Sequence, residues 1–361
     1  MDRRSFILNS MALGTALASR LAATPQGQQA APVRRREVSI GNRRIRVIDI
    51  HGHFIVPEEL DLIRNTNLAG NIANQPASLR LDDARLRTMD ERGIDMQVLS
   101  HQGAWWYRTE RDLAERLIKV QNERLAAWCR AHPDRFAGLA SVALQFPDLA
   151  ARQLEEAVKT LDLRGVGIGG HAGGEVPSTP KFDPFWAKVA ELGVAVFVHP
   201  ANADNVLQQG VLGGRGDLGN IIGNPLETTV FLSRLIFDGT LDRFPALRII
   251  GAHAGGYLPS YLGRTDVACE VRTNVNCANK KKPREYFRQQ ILVDSMIFSD
   301  EGLRHLVAEM GAGQIVYGTD IPYNWPAPVD LILNASFLSN AEKEAILGGT
   351  LMKLLRIPAG R

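Results

Sequence analysis

The segment Val47-Ile48-Asp49-Ile50-His51-Gly52-His53 constrains this chain more than any other. It is apolar and β-branched up to the histidines, so it reads as a buried strand. Side chains alternate faces along a strand, and His51 and His53 therefore share one. Two imidazoles side by side at the end of a core strand are costly to bury unless something binds them. A divalent metal ion is the simplest partner, because neutral imidazole is its commonest ligand.

The rest of the chain alternates strand-like and helical runs. Strands are expected at Arg46–His53, Met96–His101, Phe136–Leu144, Gly165–Gly170, Val194–His199, Leu247–His253, Ile291–Ser295 and Gln314–Asp320. Amphipathic stretches such as Arg111–Ala131, Pro147–Leu161, Pro184–Leu192, Thr228–Phe237 and Glu301–Met310 lie between them. Such alternation means a parallel sheet, and about eight units is the count of a (β/α)8 TIM barrel. A doubly wound sheet is the alternative. The tail from Leu331 to Ile357 reads as extra C-terminal helices packed outside the barrel. His53, His101, His199, His253 and Asp320 fall at the C-terminal ends of expected strands, with His171 just beyond one. In a barrel those ends converge on the face that carries the chemistry.

Composition narrows the partners. The chain has 361 residues, 45% of them hydrophobic, and a formal net charge of +3. Residues 1–36 hold six arginines and one acid, Asp2, so the basic balance belongs to the leader. The body is slightly acidic, which argues against nucleic acid as a partner. Asp2-Arg3-Arg4-Ser5-Phe6-Ile7 resembles a twin-arginine export motif, followed by a modestly apolar run and an Ala/Gln/Pro stretch. Residues 1–36 are therefore expected to be a signal peptide and disordered leader, and 37–361 the barrel domain. The expected location is periplasmic or exported, with the cytoplasm as the alternative. No later segment is long and apolar enough to cross a membrane. Cys129 reads as core. Cys269 and Cys277 could pair after export, and no cysteine is assigned to catalysis.

Each candidate has a role to weigh. His199, in Val196-Phe197-Val198-His199-Pro200, is the natural third nitrogen ligand. Asp320 ends an apolar run, and a buried carboxylate there needs a cation. His253, in Gly251-Ala252-His253-Ala254-Gly255-Gly256, is either a further ligand or a base beside the metal's water. The second reading is preferred, since a catalytic site keeps a position open. His101 and His171 either line the pocket or are structural. Trp105, Trp106 and Tyr107 form an aromatic wall for a flat substrate or a cluster under a loop. His132 and His305 read as structural or solvated. Strand four, Gly165-Val166-Gly167-Ile168-Gly169-Gly170, offers no lysine of the kind that bridges two metals, which argues for one ion.

These motifs carry a family resemblance. Ile48-Asp49-Ile50-His51-Gly52-His53, Phe197-Val198-His199-Pro200, Glu227-Thr228-Thr229, Ala252-His253-Ala254-Gly255-Gly256, Tyr261-Leu262-Gly263-Arg264 and Gly318-Thr319-Asp320 resemble the amidohydrolase superfamily, in its amidohydrolase-related branch. The likeness is greatest to the α-amino-β-carboxymuconate-ε-semialdehyde decarboxylase group and runs from about Ile48 to Leu355. It implies that His51, His53, His199 and Asp320 hold one divalent ion, zinc first, with manganese or iron as alternatives. It implies His253 as acid/base, with Asp320 serving both as ligand and in catalysis. It further implies that Arg264 grips a substrate carboxylate in a neighbouring subunit, and hence a homodimer. Two features depart from the pattern: the loop after strand one is shorter, with Arg80 near the place of a carboxylate-binding arginine, and Ala201-Asn202 stands where the group has an aromatic residue. The expected function is a non-oxidative, metal-dependent decarboxylase of a small unsaturated or aromatic carboxylic acid. The alternative is a hydrolase of a lactone, amide or ester on the same site.

Overall fold

A computed structural model describes residues 35–101, 105–201, 203–208 and 210–358. The twin-arginine segment lies outside the described residues. A short antiparallel hairpin, Ser39–Ile40 with Arg43–Arg44, precedes the body. Eight strands follow: β1 (Ile48–Phe54), β2 (Met96–His101), β3 (Phe136–Gly138), β4 (Gly165–Gly169), β5 (Ala195–His199), β6 (Arg248–Gly251), β7 (Ile291–Asp294) and β8 (Ile315–Val316). β1 to β3 pair in parallel, as do β4 to β8. The bridges Ala140–Val166 and Gly52–Ile321 join the two sheets into a closed (β/α)8 barrel. Helices such as Arg111–Ala131 cover it, burying Ala114, Leu117, Ile118, Gln121 and Leu125 at helical spacing.

Strand β1 departs from plain alternation. Its pairing with β2 slips between Asp49 and Gly52, so Ile50 and His51 together oppose Val98. This bulge turns the upper half of the strand over. Below it, Ile48 and Ile50 join the barrel filling; above it, His51 and His53 point inward instead. The shared face of the two histidines is as expected, but it begins at the bulge.

The barrel interior is filled by Ile48, Ile50, Val98, Phe197, Ile250, Leu292 and Val316. Strand β4 contributes nothing to this filling, because its inward positions are Gly165, Gly167 and Gly169. A Cβ at Gly169 would lie 3.1 Å from both Ala201 and Tyr107, so the lane is occupied by neighbours.

Three expectations need correction. The C-terminal helices do not all pack outside: Leu351, Leu355 and Ile357 enter the interior cluster and close the bottom of the barrel. The inner ends of the strands leave an apolar opening there, and these side chains remove it from water. Strand β3 ends at Gly138 and β8 at Val316, both short of the expected bounds. β6 likewise ends at Gly251, so His253 and Asp320 sit in turns beyond their strands, with φ of 53° and 60°.

Candidate metal centre

Four side chains from three parts of the chain meet at the C-terminal mouth. The ligand atoms of His51, His53, His199 and Asp320 all lie within 4.8 Å of one another, and all four residues are buried. His51 and His53 bring their Nε2 atoms to 3.0 Å. Asp320 Oδ1 is 3.2 Å from the first and 3.1 Å from the second. That oxygen is buried without a hydrogen-bond partner. An orphaned buried carboxylate oxygen facing two imidazole nitrogens fits a cation held between them.

The imidazoles are oriented for this task from behind. His51 Nδ1 lies 2.6 Å from Asp294 Oδ2, so it donates there and turns Nε2 toward Asp320. His199 Nδ1 is 3.0 Å from the Pro200 carbonyl, which fixes its tautomer likewise. Asp294 also accepts from the backbone N–H groups of His253, Ala254 and Met296, at 3.1, 2.8 and 3.1 Å. Asp49 ties the two ends of the barrel seam together. It accepts from His51 N–H, from Thr319 N–H and Oγ1–H, and from Gln97 Nε2. Gly318 permits this closeness, since a Cβ there would lie 2.8 Å from that of Asp294 and 3.1 Å from that of His51.

Charge is distributed unevenly across the cluster. Burial opposes a proton on His51, but Asp320 and Asp294 outweigh it and raise the imidazole to about 10. Burial drives His53 down to about 4, aided by the neighbouring His51. His199 is pushed well below its ordinary value by burial and by His53 and His51. Asp320 is held well below the carboxylate range by His51 and His53, against its burial. One proton thus sits on His51, where an arriving cation displaces it.

His253 stands beside the four ligands. Its Nε2 is 3.9 Å from Asp320 Oδ2, beyond hydrogen-bond reach, and its Nδ1 is buried without a partner. Burial, then His51, lowers its pKa, so it is a neutral proton acceptor near pH 7. His253, Ala254 and Asp320 are all non-glycine residues in the left-handed region. Such backbone costs on the order of 1 kcal/mol per residue and gathers at functional sites.

The remaining candidates fall in several places. Trp105 stacks on Tyr107 at 6.1 Å, and the Tyr107 hydroxyl accepts from Gly169 N–H beside strand β5. Trp105 Nε1 is buried without a partner. Trp106 points elsewhere: its Nε1 donates to Glu59 at 2.6 Å, and its ring packs with Ile63, Leu117 and Ile118. His101 Nε2 bonds the same Glu59 at 2.8 Å. His171 accepts from Gly174 N–H through Nδ1. Arg264 lies exposed on the helix Leu262–Val271 and pairs with no described carboxylate. Cys269 and Cys277 form a disulfide, and Cys129 is free. The sequence reading missed Asp294, Asp49, Glu59 and Tyr323, whose ring is 6.2 Å from His53. Asp294 had a signal: it lies two residues after the inward Leu292, at the end of an apolar strand, as a buried carboxylate.

A closed barrel with three histidines and one aspartate at its C-terminal mouth defines a TIM-barrel enzyme with a single divalent-metal site. The chain belongs to the amidohydrolase family, whose model, described as Amidohydrolase, matches residues 48–357. It is 31% identical over 283 residues to a 2-amino-3-carboxymuconate-6-semialdehyde decarboxylase of Dictyostelium discoideum, covering 76% of each chain. It is 32% identical over 295 residues to a gamma-resorcylate decarboxylase of Rhodococcus jostii (strain RHA1), covering 76% of this chain and 88% of the relative. A dihydroxybenzoic acid decarboxylase from Polaromonas sp. JS666, solved with bound manganese and the inhibitor 2-nitroresorcinol, superimposes with a TM-score of 0.75 at 28% identity. That match covers 88% of this chain and 98% of the other.

Proposed function

We propose that this protein is a metal-dependent, non-oxidative decarboxylase of an aromatic carboxylic acid bearing a ring hydroxyl. The observation that carries the reading is the His51–His53–His199–Asp320 cluster with a neutral His253 at its edge, in a chain whose relatives include decarboxylases of gamma-resorcylate, such an acid, and of an open-chain unsaturated acid. A divalent ion held there supplies positive charge that binds an anionic substrate and stabilises the negative charge building on the ring. Manganese is the ion to test first, given its presence in a related structure, and zinc second.

The residues themselves do the following. His51, His53, His199 and Asp320 hold the cation, and Asp294 and Asp49 fix their positions. The reaction breaks the ring–carboxylate C–C bond, leaves the electron pair on the ring carbon and places a proton there. His253, neutral beside Asp320, takes up a proton from solvent and delivers it to that carbon as CO₂ leaves. Trp105 and Tyr107 flank the substrate ring. Arg264 shares one helix stripe with the exposed Val267 and Val271, which supports an interface with a second copy. There Arg264 would grip a carboxylate of the partner's substrate. Export is supported by the twin-arginine motif and by the Cys269–Cys277 disulfide, a bond that persists in oxidising compartments.

The deciding experiment incubates manganese-loaded protein with 2,6-dihydroxybenzoate and related hydroxybenzoates while CO₂ is measured. Stoichiometric CO₂ with the decarboxylated phenol is expected. Turnover of lactones or esters with no CO₂ from any acid would replace this reading with the hydrolase.

A further inference from the structure

On the flank of the barrel, away from the metal centre, lies a cavity of ≈ 550 Å³. One wall is the continuation of β1, Phe54 to Val56; the other is the helix Arg111–Ala131, through Leu125 and Trp128. Its size and apolar lining are those of a small-molecule site. Among the described lining side chains, one polar group is left available. Arg80 stands at the rim, exposed and with no described side-chain partner. The single carboxylate on the lining, Glu58, is taken by Arg124 at 3.1 Å. A free guanidinium at the edge of an apolar floor calls for an occupant with an apolar body and one anionic acceptor.

We infer that this cavity is a second binding site, for a small apolar monocarboxylate, distinct from the metal centre. The site is wired to the metal ligands through the backbone. Arg85 donates to the carbonyls of His53 and Ser78, at 2.8 and 3.1 Å, and Ile55 N–H bonds Leu79 O. The segment carrying Arg80 is therefore held to the strand carrying His53. The inference does not depend on the decarboxylase reading.

The test uses metal-loaded protein and 6-bromo-2-naphthoate. The expected result is a bromine anomalous peak between Val56 and Trp128, together with solution binding that survives in Asp320→Ala. Arg80→Glu should weaken that binding by about tenfold or more, the loss expected for one charge-assisted hydrogen bond. Ala127→Trp, which fills the cavity from an exposed helix position, should abolish it, and Arg80→Lys should restore most of it. A bromine peak at the metal centre alone overturns the inference. So does a flank peak with solution affinity indifferent to Arg80→Glu and Ala127→Trp, which would mean binding at crystal concentration only. Density for the chain's own leader in the cavity overturns it as well.

Discussion

The two ends of the barrel are built on opposite rules. At the bottom, Leu351, Leu355 and Ile357 seal an apolar interior, and Asp95 is satisfied by Arg35, Arg44 and the Val47 N–H. At the top, Asp320 Oδ1 and His253 Nδ1 are buried without partners, and His253, Ala254 and Asp320 sit in left-handed backbone. The bottom has irregularities of its own, Arg356 at a φ of 52° and Arg35 Nε without a partner, but the top gathers an orphaned carboxylate oxygen and an orphaned imidazole nitrogen in one cluster. Natural chains tolerate such local violations where function requires them. The convergence of unmet acid and base atoms, rather than strain alone, marks the working face.

Asp320→Ala should break the contrast most completely. Stoichiometric metal should disappear by elemental analysis and turnover should fall by at least ~10³-fold, as for loss of the dominant electrostatic term. The fold should survive with some loss of stability, since His51 keeps Asp294 but loses Asp320; full metal occupancy in the variant would refute the ligand assignment. His253→Ala comes next. It should keep the metal but slow turnover by about 10²-fold or more, the scale of a lost proton carrier. If metal leaves with it, His253 is a fifth ligand.

Much of the working face was legible from the chain, for a physical reason. His51, His53, His199 and Asp320 all terminate β-branched runs, and strand ends in a barrel converge. The supporting shell was less visible. Asp294 gives its role away only once Leu292 is known to face inward, which depends on the register of β7. The bulge at Ile50 and His51 left no mark, because both residues are compatible with either face of a buried strand. Trp106 belongs to Glu59 rather than to the pocket because its φ of 55° turns the chain. Adjacent aromatic residues look alike in sequence and diverge at such turns. The C-terminal plug was misplaced because an amphipathic helix does not declare whether its apolar face meets a barrel's wall or its floor.

Two smaller effects sharpen the comparison. Asp294→Asn should weaken metal binding by about 10- to 100-fold, the usual loss when a ligand's orienting partner is removed. Asp320 and, after it, this side chain set a pH response. His51 is raised from 6.5 to about 10, so its proton opposes the cation throughout the range below that value. Metal affinity should rise with pH by up to about tenfold per unit until His51 deprotonates. For the metal-free protein the sign is opposite. The pairing of His51 with Asp294 and Asp320 stabilises the fold fully below 6.5 and is lost as pH climbs through about 10. Titration calorimetry and thermal melts across that window measure both. At the other end, Leu351→Ala should cost about 2–5 kcal/mol of stability by opening a cavity. Metal content and turnover should stay at wild-type values at permissive temperature; a large loss of either would show that the two ends are coupled.

The one-residue slip in β1 divides a single strand between two masters. Its lower half answers to the shape of the hydrocarbon filling, and its upper half to the coordination needs of an ion. Mutational drift can therefore rework Ile48 or Ile50 without disturbing His51 and His53, and the reverse. A scaffold with that separation can acquire or lose a metal, or trade one for another, while remaining the same folded object.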